Sequence, residues 1–324
     1  MHEIDPTKED ISNNEAAKYL QQIVMLDDYY NRAGELQAND IDFLKRTLPE
    51  LLGILPIATQ PVDSFGLPFK RLVINKTITG GVHKRLTSLK DLRYPPREIA
   101  HNIGWNRASL KGETVFYAGM HILTLAVETQ PRKGDLYTIS TWEHIPGHTL
   151  HLLVICQDAE VAMNNPLELL EDYNQYNRFM HDIKPNLRKV IEAVYRFIVK
   201  AFTREVDPNN RQEYLFSALL AHHFFNHPIH QVDAIYFPSV PNEGAVMNIA
   251  VLPDIIDEKF RMIEASEYIC MQNPNPDAPG WMSYSTGTCK TYKADTLQLE
   301  WKNEHIPEHY PVNELIEKHQ IDLG

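Results

Sequence analysis

The chain has 324 residues, 43% hydrophobic and 23% charged, an ordinary globular composition that can bury one large core or two modest ones. Its formal net charge of −12 opposes extended nucleic-acid binding, which relies on clustered lysines and arginines releasing counterions. No run of about 18 apolar residues is present, and "MHEIDPTKEDISNNE" has neither a basic n-region nor an apolar h-region, so the expectation is a cytoplasmic protein that does not span a membrane.

In chain order, "NNEAAKYLQQIVMLDDYYNRAGEL" and "NDIDFLKRTLPELLGILP" place apolar residues at three- and four-residue spacings behind Asn and Asp caps, which predicts a helical N-terminal extension over 1–70. From about 72 to 155 the pattern changes to short apolar runs broken by Gly and Pro: "RLVINKTI", "ETVFYAG", "DLYTISTWEH" and "LHLLVIC" are strand signals. Helical stripes return in "PLELLEDYNQYNRFM", "LRKVIEAVYRFIVKAF" and "QEYLFSALLAHHFF", which predicts a helical insertion over about 156–230 within a domain running from 71 to 324. "DAIYFPSVPNEGAVMNIAV" then reads as two strands joined by a turn, followed by a helix over "PDIIDEKFRMIEASEYIC" and a polar tail. This order of helix, strands, helices, strands predicts an α+β fold rather than a regular βαβ alternation.

Two groups of residues carry candidate chemistry. In "NRASLKGETVFYAGMHILTLAVETQ", a short strand at Thr114–Tyr117 leads to a helix over Met120–Glu128, with Ile122, Leu123, Ala126 and Val127 expected to face the core. Glu128 ends that helix, where a carboxylate is unfavourable to the dipole unless a cation or a ligand hydroxyl compensates it; on this segment alone a solvated Glu128, or one paired with Arg132, is the simpler account. Arg85, Arg93, Arg97 and Arg107 lie in a region otherwise poor in positive charge. Guanidinium groups suit a pyrophosphate, and salt bridges on an acidic protein are the alternative.

The islands "KRLTSLKDLRYPP", "NRASLKGETVFYAG", "TLAVE" and "IYFPSVPNEGAVMNIAVLPD" resemble, in order, those of the RES domain family, over roughly residues 80 to 260. "YFPSV" followed by Gly and "NIA" is the most specific of them. The resemblance implies an ADP-ribosyltransferase-like split sheet and an enzyme that consumes NAD by cleaving its nicotinamide glycosidic bond: an NAD glycohydrolase, an NAD phosphorylase or an ADP-ribosyltransferase. It also implies toxin activity, with an antitoxin or a protein acceptor as partner. By position the family's Arg falls on Arg85, its Glu on Glu128 and its Ser on Ser239, with Arg107 and Tyr117 flanking the nucleotide and Asn248 completing its site. Arg85 would then neutralise the pyrophosphate, Tyr117 line the nicotinamide pocket, Ser239 fix ribose or phosphate, and Glu128 stabilise the ribosyl cation, with no metal. The N-terminal helices, the helical insertion and "GWNRAS" in place of a Gly-Gly-Arg-Trp type run depart from the compact toxins of the family.

Pro238 has no N–H to donate and so ends the first strand of its pair, which leaves Ser239 projecting from a stiffened strand end; a plain turn is the simpler account. Two other function classes stand beside the NAD enzyme. A catalytically silent protein could keep the cleft to bind NAD or a partner. A metal hydrolase is suggested by "HIPGHTLH" and "HHFFNHPIH", in which His223 and His227 have i,i+4 spacing. Against the latter, no HExxH pattern exists and Pro228 closes the helix, so helix-end histidines are the better reading. Cys156, Cys270 and Cys289 have no CxxC spacing, which points to buried thiols rather than disulfides or a zinc knuckle.

Overall fold

The structure, a computed structural model, describes residues 9–324 apart from 56, 58, 65, 67, 156–176, 208, 241–245 and 275–279. Helices and mostly antiparallel strands fall into two compact units: one of residues 1–61, 100–113 and 150–247, the other of residues 62–99, 114–149 and 248–324. The N-terminal helices share a unit with the helical stretch that follows residue 176. The helix expected over "PLELLEDYNQYNRFM" and the thiol of Cys156 lie largely or wholly outside the described residues.

The helical unit holds α1 (Asn13–Asn31) and α2 (Ala38–Leu52). Ser12 opens α1 with a capping box, its Oγ accepting from Glu15 N while the Glu15 carboxylate accepts from Ser12 N. Strand β1 (Gln60–Val62) falls on the boundary between the units. In the sheet unit lie β2 (Phe69–Ile74), α3 (Asn75–Ile78), α4 (Leu89–Leu92), β3 (Phe116–Gly119), α5 (Ile122–Thr129) and β4 (Leu136–His144). The chain returns to the helical unit for β5 (Leu150–Val154), α6 (Pro185–Phe202), α7 (Leu215–Phe225) and β6 (Ala234–Pro238). There α6 buries Leu187, Val190, Ile191, Val194, Phe197 and Ile198, and β5 and β6 pair in parallel. It ends in the sheet unit with β7 (Met247–Val251), α8 (Pro253–Lys259), β8 (Phe260–Gln272), β9 (Met282–Lys293), β10 (Gln298–Asn303) and α9 (Val312–His319).

The sheet unit orders its strands β7-β3-β2-β4-β8-β9-β10, every neighbour antiparallel. Alternation sends successive side chains to opposite faces. On one face Leu72, Tyr137, Ile139 and Cys270 pack with Leu125 of α5. On the other, Leu136 and Ile269 pack with Val312 and Leu315 of α9 and with Ile321. Strands β2 and β3 share one register pair, Lys70 opposite Gly119, and then part.

Two expectations change. The stretch from Pro253 is helical only to Lys259, because the alternation from Phe260 onward has the two-residue period of a strand, and it pairs with β4 over nine positions from Leu136 to His144. The strand read in "RLVINKTI" stops at Ile74, where Asn75 turns the chain into α3.

Candidate functional site

Glu128 lies in the last turn of α5, exposed, and its Oε1 accepts a hydrogen bond of 2.9 Å from Asn248 Nδ2. Asn248 is held in β7, a strand buried along its whole length, opposite Gly119 of β3. Tyr117 is two residues before Gly119, so it points to the same face of β3 and pairs with Ala250. Glu128, Asn248 and Tyr117 are thus assembled by one helix and two paired strands within a single unit. Helix α5 sits differently from its expected orientation: Thr124, Leu125 and Ala126 are buried, while Ile122 and Leu123 are 43% and 70% exposed.

Arg85 is placed elsewhere. It is buried, its Nε and Nη2 donate to Glu267 Oε1 at 2.9 and 2.7 Å, Nη1 donates to Asn303 Oδ1 and Nη2 also to Thr286 O. Its guanidinium lies 5.1 Å from the Trp301 ring centroid. Glu267 pairs with Thr138 of β4, on the face opposite Tyr137 and α5, so Arg85 and Glu128 belong to opposite faces of the sheet. Thr286 Oγ1 and Asn75 Nδ2 supply the remaining donors to Glu267. The physical reason Arg85 does not meet a phosphate here is that a buried carboxylate already satisfies it.

The other arginines are engaged too. Arg107, in the helical unit, donates to the carbonyls of Phe202 (2.7 Å) and Arg204 (3.1 Å) just past the end of α6 and stacks over Tyr214, a helix C-terminal cation in its favoured place. Arg93 and Arg97 pair with Asp257 and Asp254 of α8. Ser239 follows Pro238, the last residue of β6 as expected, but it is fully buried and its N–H bonds Val246 O at 2.8 Å.

Arg71 is the residue the sequence reading passed over. It lies on β2 in the gap where β2 and β3 part, opposite Ser140 and so on the face of Glu267 rather than that of α5, donates Nη1 to Tyr117 O at 3.1 Å, and sits 5.5 Å from the Phe116 ring centroid. Its Nε is sealed from solvent with no hydrogen-bond partner, and among the described residues no carboxylate pairs with it. Burial alone pushes its pKa down to about 10. The signal was present in "FKRLV": the alternation that buries Phe69 and Val73 puts Arg71 on their side.

The histidines form no metal group among the described residues. His223 lies in the last turn of α7 and His227 beyond it, their rings 5.6 Å apart, with His230 stacked 5.0 Å from His227. Desolvation, then His227 and His222, push the His223 pKa down to about 4, while Glu113, 2.7 Å away, raises that of His222. "HIPGHTLH" is the β4–β5 connection, as read. Cys270 and Cys289 are buried, and burial raises both thiols, Cys270 to about 11, which keeps them unreactive. No helix among the described residues is long and apolar enough to cross a membrane.

A scan against protein-family models finds no match to the chain, and a search of curated proteins finds none.

Proposed function

We propose that the chain binds NAD and cleaves its nicotinamide glycosidic bond at Glu128, with Tyr117 beside the ring and Arg71, rather than Arg85, as the counter-ion of the ligand's pyrophosphate. The observation that carries this reading is the pairing of opposites around β3: a carboxylate held at Asn248 on the α5 face, and on the other face, in the gap where β2 and β3 part, a desolvated guanidinium with no anion among the described residues, so that the ligand would pass through the gap. A desolvated cation without a counter-ion is costly, and an anionic ligand would remove that cost. The place where β2 and β3 part also agrees with the split sheet that the RES resemblance implies. Ser239 and Arg107 belong to the other unit and form no part of this proposal.

In the reaction the C1′–N bond of the nicotinamide ribose breaks and its electron pair leaves with nicotinamide, which neutralises the pyridinium charge. The oxocarbenium character left on the ribose is stabilised by the Glu128 carboxylate, and a water oxygen forms the new bond at C1′ while its proton passes to solvent. Nicotinamide release and NAD affinity, measured together, test this. Wild type should turn over NAD, Glu128→Gln should lose about 100-fold or more in rate with affinity retained, and Arg71→Met should mainly lose affinity. Equal turnover by wild type and Glu128→Gln would sink the mechanism, and NAD binding without turnover would leave a silent cleft.

A further inference from the structure

We infer that Asn248 is a positioning residue for Glu128 rather than a nucleotide contact: its side-chain amide fixes the carboxylate in place while leaving it negatively charged. This inference rests on the proposed cleavage at Glu128.

Glu128 needs such a tether. It is an exposed side chain in the last turn of an eight-residue helix, where the partial negative charge of the carbonyl end repels a carboxylate. Asn248 supplies the opposing hold at 2.9 Å from a rigid platform, being only 8% exposed on a strand with all five residues buried and paired to β3. The residue opposite it on β3 is Gly119, so no side chain of that strand competes for the amide.

The chemical identity of the tether matters as much as its position. A lysine or arginine there would hold the carboxylate more strongly but neutralise the charge that a developing ribosyl cation requires. A neutral amide N–H orients the oxygen without cancelling its charge. With Nδ2 given to Glu128, the amide is turned to the helix.

The two roles for Asn248 predict different kinetics. A positioning residue changes kcat with NAD affinity kept, because only the transition state feels the misplaced carboxylate; a nucleotide contact changes affinity with kcat kept. Asn248→Ala should therefore lower kcat about ten-fold or more at unchanged NAD dissociation constant, since small misplacements of a reacting group have effects of this order. Asn248→Asp keeps the shape but sets two carboxylates side by side, which favours one shared proton. Its activity should be low at neutral pH and recover relative to wild type as pH falls, when the protonated carboxyl can again donate to Glu128.

The experiment is steady-state nicotinamide release by the full chain from pH 5 to 8 for wild type, Asn248→Ala and Asn248→Asp, with NAD affinity by calorimetry and folding checked by thermal unfolding. The Asn248 side-chain amide resonance, compared in wild type and Glu128→Ala, reads the contact without any turnover. A kcat defect, constant affinity and the shifted pH profile would support the inference. Wild-type kcat in Asn248→Ala, a defect confined to affinity, or an amide resonance indifferent to Glu128 would overturn it while leaving cleavage at Glu128 standing. A wild type that never releases nicotinamide would remove both.

Discussion

Arg85 and Arg71 belong to the same sheet unit, yet their surroundings differ in one decisive respect. Around Arg85 the protein has built a complete counter-site: Glu267, itself inaccessible to solvent, takes two guanidinium hydrogen bonds, and Asn303, Thr286 and Trp301 take up the rest of the group. Around Arg71 the described residues supply a backbone carbonyl and an aromatic face and no carboxylate. A satisfied buried ion pair is a component of the fold. A desolvated cation without an anion is a request for a ligand, so the second arginine carries the functional hypothesis although the first fitted the family pattern better.

The largest test of that contrast is on stability. Removing one partner of a buried pair leaves the other charged and unpaired, so Glu267→Ala should destabilise the protein by about 3–5 kcal/mol in denaturant unfolding. Replacing both, Arg85→Met with Glu267→Leu, should recover most of the loss, because apolar side chains of similar volume avoid the desolvation cost. If Arg85→Ala left stability intact and abolished NAD affinity instead, the contrast would be inverted.

Arg71→Met should behave in the opposite way. Charge-assisted hydrogen bonds to a ligand contribute roughly 1.5–3 kcal/mol, so NAD affinity should weaken by about 10- to 100-fold. Stability should hold or rise, since the variant no longer seals an unpartnered Nε in the interior. Calorimetric titration with NAD and a thermal unfolding curve of the same sample check both halves.

His223 extends the comparison to a group that can shed its charge. Like Arg71 it has a buried nitrogen without a partner, Nε2, but it escapes the cost by staying neutral, with its pKa pushed from 6.5 to about 4. The unfolded chain binds the proton more readily, so this contribution to stability is intact above pH 6.5 and is lost as the pH falls to about 4. Between pH 7 and 5 the loss should be about 1–2 kcal/mol. Urea unfolding at both pH values, for wild type and His223→Phe, isolates it by difference, and an equal pH slope in the two proteins would show that His223 is not its source.

Legibility followed the physics of each element. Helices α1, α2, α6 and α7 were readable because each buries a stripe or core that spacing reveals. Strand β8 was read as helix because Lys259 runs straight into Phe260 with no turn residue between. The β9–β10 hairpin was missed because "MSYSTGTCKTYK" is rich in Ser and Thr, and polar strands carry little hydrophobic signal. Within the site, Glu128 and Asn248 were each readable as candidates, whereas their contact spans 120 positions and has no local trace. The engagement of Arg85 has no local trace for the same reason: Glu267, which claims it, lies 182 positions away.

The smallest expected effect is also the control for charge itself. Arg97 is an arginine of the region that first suggested phosphate binding, but its side chain is 64% exposed and its partner Asp254 79% exposed, with 2.6 Å between them. Exposed pairs of this kind are screened by solvent and contribute about 0–1 kcal/mol. Arg97→Ala should therefore shift stability by less than about 0.5 kcal/mol and leave NAD affinity unchanged. Arg71→Met and Arg97→Ala each remove one positive charge, so any general electrostatic attraction of the dinucleotide falls equally in both. What distinguishes them is desolvation, because a guanidinium already stripped of water gains more from an anion than one in solvent. A loss of NAD affinity in Arg97→Ala comparable to that in Arg71→Met would mean that net charge, and not the guanidinium in the gap between β2 and β3, draws the ligand in.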